Sequence, residues 1–391
     1  MTARRFGIKL SIVYALLMIG SGVQLPFLPL WLAAKGLSVE AIAAVVAGTM
    51  ATRILGAPLF AWIADHFGNR RLVIQLCAGL SLASYSLLAI SNGFGPIMTM
   101  ALIASFVFAP IFPLTEGFGV DGAIAHNLDY GRLRVWASLS FLSGSLGAGA
   151  LLTVLDPLDT AWVLAAAQGL AFVATLQLPD EPDARKFEAA EGGVMRARDL
   201  FFGSSFPLLM VAAGLAQASH GMLYSFSSVH WHSIGMSSLW IGVLWVAAVM
   251  TEVLFFSFSN AIVQALGPGG LLLMGIAGGL VRWLVMGTFS NYGILIIAQM
   301  LHALSFAATH LGTMHFIRLL VPNAIRNRAQ GVYSALSGGV FMSATAFASG
   351  HLYGLYGVHA YFVMAVLSAV ALALALYLTR FSPTVRAAAA A

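Results

Sequence analysis

Three charged side chains stand inside long apolar runs: Arg53, Glu252 and Arg282. A lone charge at hydrocarbon depth costs about 2.5–3.5 kcal/mol even on insertion scales, so each needs a partner or water and marks a path for a polar solute. Counted at 1.5 Å per residue, Glu252 and Arg282 lie about 16 and 18 Å from the same-side ends of neighbouring, oppositely directed helices, which predicts an ion pair. A carboxylate so placed can exchange a proton, because an adjacent cation and desolvation pull its proton affinity in opposite directions. The alternative is a static clamp, since buried pairs need not be functional.

Histidines form the second group. His302 and His310 stand eight residues apart, near one face of a helix, and His315 follows toward the same end. Histidine titrates near working pH and relays protons. A single histidine on an apolar helix is more often a packing residue, so it is the grouping that points to a polar cavity. Gln299 precedes His302 by nearly one turn and shares its surface. His310 and Met314 have the i, i+4 spacing of two soft metal ligands, but Met314 reads better as packing. No metal and no cofactor are expected.

Arg53 lies about 18 Å above Asp65 and Glu116 about 10 Å from the end of its own helix, a difference that a long arginine spans. Arg53 therefore pairs with Glu116 or holds a substrate carboxylate in its guanidinium fork. Pro110 and Pro113 break the helix before Glu116 and free backbone groups toward a cavity. His220, Tyr224, His230, Trp231 and His232 crowd one end of a seventh apolar run, and Gln24, Pro26 and Pro29 the matching part of the first. Trp231 and His232 suit an interfacial belt; Tyr224 and His220, further in, suit the cavity.

The elements that must hold these residues follow from composition. The chain has 391 residues, 60% hydrophobic and 8% charged, with mean hydropathy +0.91. A soluble domain carries about a quarter charged residues, so this is a polytopic membrane protein. Spans of about 20 residues must be helical. Twelve are predicted, near 7–33, 39–64, 72–91, 95–122, 131–155, 160–178, 206–230, 237–263, 270–288, 291–317, 329–353 and 358–380. This gives an all-α membrane protein with an N-terminal six-helix bundle over 1–178, a polar linker over 179–205 and a C-terminal bundle over 206–391. The linker holds the only extended polar segment and is predicted to be cytoplasmic, with a short amphipathic helix.

Arg4, Arg5, Lys9, Arg70, Arg71, Arg132, Arg134, Arg326, Arg328, Arg380 and Arg386 fall on one side, so both termini are expected in the cytoplasm and the protein in the inner membrane. The basic balance is thus explained by topology and no nucleic-acid partner is expected. The single cysteine, Cys77, lies in an apolar run and excludes an intrachain disulfide. The two halves repeat: at an offset of 199, Gly36-Leu37-Ser38 falls on Gly235-Met236-Ser237, the turn from Phe67-Gly68 to Leu72 on Leu266-Gly267 to Leu271, and Arg53 on Glu252. A parallel two-fold repeat places the substrate path on the axis between halves.

The turn at 61–71, with Asp65, Gly68, Arg70 and Arg71, resembles the cytoplasmic loop signature of the major facilitator superfamily. Ala61 replaces its usual glycine, His66 its common arginine, and the equivalent turn Gln264-Ala-Leu-Gly-Pro-Gly-Gly270 lacks the charges. Phe27-Leu-Pro-Leu30, Pro113-Leu-Thr-Glu116, Tyr130-Gly-Arg-Leu-Arg-Val-Trp-Ala-Ser138, Glu252-Val-Leu-Phe-Phe256, Arg282-Trp283, Gln299 through His310 and Gln330-Gly-Val-Tyr-Ser334 resemble the phenylpropionate permease group, related to sugar and nucleoside proton symporters. The resemblance implies a cavity lined by spans one, four, seven and ten. Gln24, Arg53, Glu116, Tyr224, His220, His302 and Gln299 are then expected to bind substrate. Glu252, Arg282, Glu116, His302 and His310 are expected to couple protons, and Asp65, Arg70, Arg71, Asp121 and Arg134 to clasp a cytoplasmic gate.

The expected function is a secondary transporter, a monomer in the lipid bilayer, importing a small organic solute such as an aromatic carboxylate together with protons. Efflux of amphipathic compounds and sugar or nucleoside symport are the alternatives. An enzyme is disfavoured, since no nucleophile–base pair or metal triad appears in the spans.

Overall fold

The computed structural model describes residues 2–179, 205–322 and 325–381; the helix expected in the linker lies outside the described residues. All regular elements among them are helical. In chain order these are α1 (Ala3–Leu17), α2 (Ile19–Ala34), α3 (Val39–Phe67), α4 (Arg70–Ile90), α5 (Phe94–Phe108), α6 (Ile111–Ala125), α7 (Tyr130–Leu151), α8 (Thr160–Thr175), α9 (Phe206–Ala218), α10 (Gly221–Ser233), α11 (Ser238–Ser257), α12 (Ser259–Thr288), α13 (Tyr292–Met300), α14 (Thr309–Leu320), α15 (Arg326–Ser334), α16 (Met342–Tyr356) and α17 (Tyr361–Phe381). Two π-helical segments, Ala303–Ala308 and Ala335–Phe341, join α13 to α14 and α15 to α16.

Short polar residues set where the helices start. Ser38 accepts from the Ala41 N–H, Asn69 from Leu72, Asp129 from Arg132 and Asn291 from Gly293, each capping the orphan donors of a helix N-terminus. Gly68, at φ +63, ends α3 in the left-handed conformation. Among the described residues, ten stretches are long and apolar enough to cross a bilayer. One of them, Arg328–Phe381, passes Gly357 at φ +55 and so contains two predicted spans. With α7, whose first turn carries Arg132, the helices accommodate the twelve predicted spans.

Helix limits differ from expectation where polar residues extend an element past the hydrocarbon. The first span starts at Ala3 rather than near 7, and takes Arg4, Arg5 and Lys9 into its first turns. The fourth breaks between Phe108 and Ile111, where Pro110 removes a donor. The ninth span begins just after Gly267 (φ +63, ψ 172), a non-helical kink inside α12 that divides 259–266 from 268–288, and so starts close to the predicted 270.

The chain forms two compact units, Met1–Phe187 with Tyr224–Val246, and Glu188–Leu223 with Ala247–Ala391. The core of the first is built on Phe6, Leu10, Tyr14, Ile74, Cys77, Ile111 and Phe118. There Gly22 of α2 and Gly144 of α7 leave room only for the facing backbone, and Ser145 Oγ donates to the Gly22 carbonyl at 2.9 Å. Such close backbone approach is how helices associate where lipid supplies no hydrophobic drive. The core of the second holds Phe206, Leu209, Leu272, Ile276, Phe316, Tyr333 and Leu378.

Candidate functional site

In the second unit the glycines of α12 decide where Arg282 goes. A Cβ on Gly275 would meet Thr309, one on Gly278 would meet Leu304, and one on Gly279 lies in contact with Ser305. Without side chains at these positions α12 rests directly on the π segment after His302, and Arg282 enters a wholly buried polar cluster. Its Nη1 donates to His302 Nδ1 at 2.9 Å and to Ser305 Oγ at 3.0 Å, and its Nη2 to Gln299 Oε1 at 2.7 Å. The guanidinium carbon also lies 4.8 Å from the Trp283 ring centre. His302 Nε2 in turn lies 3.4 Å from Glu252 Oε2. Glu252 and Arg282, expected to be level, are thus joined through an imidazole standing between them.

His220, expected on a cavity wall, is 0% exposed in the same cluster. Its Nδ1 meets the Gln217 carbonyl at 3.0 Å and its Nε2 meets Ser305 Oγ at 3.1 Å. Trp283 stacks edge-on against it and donates through Nε1 to Ser219 Oγ at 2.8 Å. His302, Phe306, half-buried His310 and Tyr333 follow one another as neighbouring rings, at 5.1, 6.3 and 5.8 Å between centres. His310 also lies within electrostatic range of Glu252.

In the first unit Arg53 is exposed although it occupies the middle of a 29-residue helix. It lies within electrostatic range of Tyr85 and Tyr224. Tyr85 is buried and donates to Gln24 Oε1 at 2.9 Å, while half-buried Tyr224 stacks on Trp245 at 6.0 Å. Arg53 therefore belongs with Gln24, Tyr85 and Tyr224, three of the four being residues singled out in the sequence.

The charges nearer the helix ends pair differently from expectation. Glu116 reaches Arg134 at 3.1 Å, not Arg53; Arg134 projects back along α6 from the adjoining first turn of α7, with its guanidinium 5.8 Å from the Phe112 ring. This takes Glu116 out of the partner set of Arg53, and gives Arg134, expected among the gate residues, Glu116 as its partner. Asp121 instead binds Arg70 at 2.6 Å, the Arg70 side chain lying over Gly117. Asp65 is exposed and Arg71 half-buried at the turn. Trp231 is 1% exposed, so it packs inside the protein and not in a lipid-facing belt, whereas His232 is exposed.

Sequence reasoning gave no role to Ser305, Trp283, Ser219 or Tyr85. Ser305 had a signal, since it stands three residues after His302. Tyr85 had none, being one aromatic in an apolar run.

The model of the MFS_1 like family matches residues 7–364. A probable 3-phenylpropionic acid transporter of Escherichia coli (strain K12) is 29% identical over 357 residues, covering 89% of this chain and 91% of that protein. Maltose permease of Geobacillus stearothermophilus is 23% identical over 332 residues, covering 84% and 82%. The crystal structure of the nucleoside transporter NupG superposes with a TM-score of 0.83 at 16% identity, covering 96% of this chain and 100% of that one. That of a D-xylose–proton symporter does so with 0.72 at 15%, covering 97% and 98%. At such identities the two structures speak for the fold alone. The chain belongs to the MFS_1 like family of the major facilitator superfamily, whose members here are multi-pass membrane transporters of small molecules and not enzymes.

Proposed function

We propose that this transporter imports a small organic solute, an aromatic carboxylate of the phenylpropionate kind, by proton symport. The observation that carries the reading is the contact series Arg282–His302–Glu252, a carboxylate kept close to a buried cation through an imidazole. Burying a guanidinium and a carboxylate costs several kcal/mol each, a cost better explained by a group that must change its charge than by packing. Glu252 takes the proton, and Arg282, His302 and His310 set its affinity. Arg53, exposed beside Tyr85, Tyr224 and Gln24, suits a carboxylate ligand with a ring: the fork binds two oxygens and the aromatics offer a face. The 29% identical relative is described as a probable transporter of such an acid.

The Lys and Arg distribution supports both termini on the cytoplasmic side of the inner membrane, and bundles bounded by the polar segment at 179–205. Arg70 with Asp121, and Asp65 at the adjoining turn, stand where cytoplasmic gating contacts form. The protein acts as a monomer in this reading.

Uptake into proteoliposomes under an imposed pH gradient tests it. Acid outside should drive accumulation of an aromatic acid, with sugars and nucleosides as the comparison substrates. Glu252→Gln should lose that accumulation and keep substrate exchange. Accumulation driven by acid inside would overturn import in favour of efflux, and uptake of sugars or nucleosides alone would overturn the substrate class.

A further inference from the structure

The donors and acceptors around His302 fix its protonation. A guanidinium nitrogen only donates. Arg282 Nη1 lies 2.9 Å from His302 Nδ1, so Nδ1 is a bare acceptor. In a neutral imidazole the remaining hydrogen sits on Nε2, the atom that faces Glu252 Oε2 at 3.4 Å. A second proton could enter only at Nδ1, where it would point at Arg282. The same guanidinium fixes the next imidazole. The Gln217 carbonyl only accepts, so His220 Nδ1 carries its hydrogen; Ser305 Oγ accepts from Arg282 Nη1 and can donate to His220 Nε2. The charged and titratable groups facing His302 are then Arg282, Glu252 and His220, whose ring centre is 5.5 Å away. Those facing Glu252 include His302 and His310.

We propose that His302 is a positioning residue and not a proton carrier: Arg282 holds it as the Nε2–H form aimed at Glu252, and the exchanged proton resides on the Glu252 carboxylate. The Nε2–H donates to Glu252 whether that carboxyl is ionised or protonated, since either form offers an accepting oxygen. One proton is gained by one carboxylate oxygen, and the imidazole keeps its own hydrogen throughout. Gln can replace such a group, with its carbonyl oxygen toward Arg282 and its amide toward Glu252, whereas it could not replace a titrating imidazole. The inference takes its meaning from the proton-coupled reading above, but its first test does not depend on transport.

That test is 15N NMR of the histidine-labelled full-length protein in detergent, with the His302 signals assigned by their loss in His302→Gln, or in His302→Asn should the first variant not fold. The Nε2–H tautomer is expected to persist across about pH 5 to 8, where a free imidazole changes charge. Conversion of His302 to imidazolium within that range would overturn the proposal. In transport, His302→Gln should lower acid-driven accumulation by about threefold without abolishing it, and its pH profile should shift less than that of His302→Ala. Accumulation lost in His302→Gln while exchange survives would also overturn it. A wild-type protein with no proton-driven uptake would instead defeat the symport reading, and the NMR result would still decide the role of His302.

Discussion

Two arginines with carboxylates near them illustrate how depth changes the worth of a charge. Arg282 is wholly buried and serves Gln299, His302 and Ser305 at once. Replacing it by Met leaves those acceptors and Glu252 without their cation, and should cost about 3–5 kcal/mol, the range for removing one partner of a buried pair. The measurement is the unfolding midpoint in detergent, and Arg282→Met with Glu252→Gln should recover part of the loss, because the uncompensated carboxylate is then gone. Arg134 and Glu116, with side chains 46% and 25% exposed, form a pair that water screens. Glu116→Gln should therefore lower stability by less than about 1 kcal/mol. At this scale the sequence revealed which charges are out of place, because an ionised group in an apolar run is conspicuous. It did not reveal their partners: Arg134 comes from the start of the next helix, and rise per residue says nothing of which way a long side chain turns.

Turns and caps were the legible elements. The repeat at an offset of 199 reappears in positive-φ glycines: Gly36 and Gly235 have φ of +77 and +88, and Gly68 and Gly267 both have +63, although their ψ angles, 25 and 172, differ. Ser38 and Ser237 accept from the N–H three residues on, at Ala41 and Trp240, again at that offset. A left-handed residue without glycine costs about 1–2 kcal/mol, so Gly68→Ala should lower the unfolding midpoint measurably although nothing lies near its missing Cβ. The two π segments were not legible. One extra residue in a turn shifts an apolar face by about 100° without changing its composition, so periodicity over a uniformly apolar helix cannot register it. Their consequence is local and testable. The segment Ala303–Ala308 lies between His302 and His310, and Gln217 Nε2 donates to the Phe306 carbonyl within it at 3.4 Å. Deleting Ala307 should convert the segment to regular helix, keeping His310 within about 20° of the face of His302, since seven regular steps nearly close two turns, but removing the wide turn whose Phe306 carbonyl accepts from Gln217. The protein should remain helical by circular dichroism and monodisperse in detergent, and transport should be lost. Retained transport would mean that the π geometry positions nothing of consequence.

For the molecule as a whole, the question is which exposed surface meets water and which meets lipid. Accessible area alone treats the two alike: Arg53 and Leu55 are both exposed, Leu55 at 69%, although they stand two residues apart on α3. Electrostatic proximity to Tyr85 and Tyr224 puts Arg53 on the polar side, and the cost of a bare charge in hydrocarbon requires that side to be wet. The protein suits a direct experiment, because its single cysteine, Cys77, is 1% exposed. In a Cys77→Ser background, Arg53→Cys should react with a water-soluble maleimide in the membrane, and Leu55→Cys should not, since thiols react as thiolates and thiolates do not form in lipid. Saturating substrate should slow labelling of Arg53→Cys if its neighbours form the ligand site. The same background reads sidedness. Asp156→Cys, in an exposed turn, should label from outside intact cells, and Arg132→Cys only after permeabilisation, as the excess of Lys and Arg on the side of Arg132 requires. Labelling at Leu55 equal to that at Arg53 would remove the wet passage, and with it the reason for placing an arginine in the middle of a membrane span.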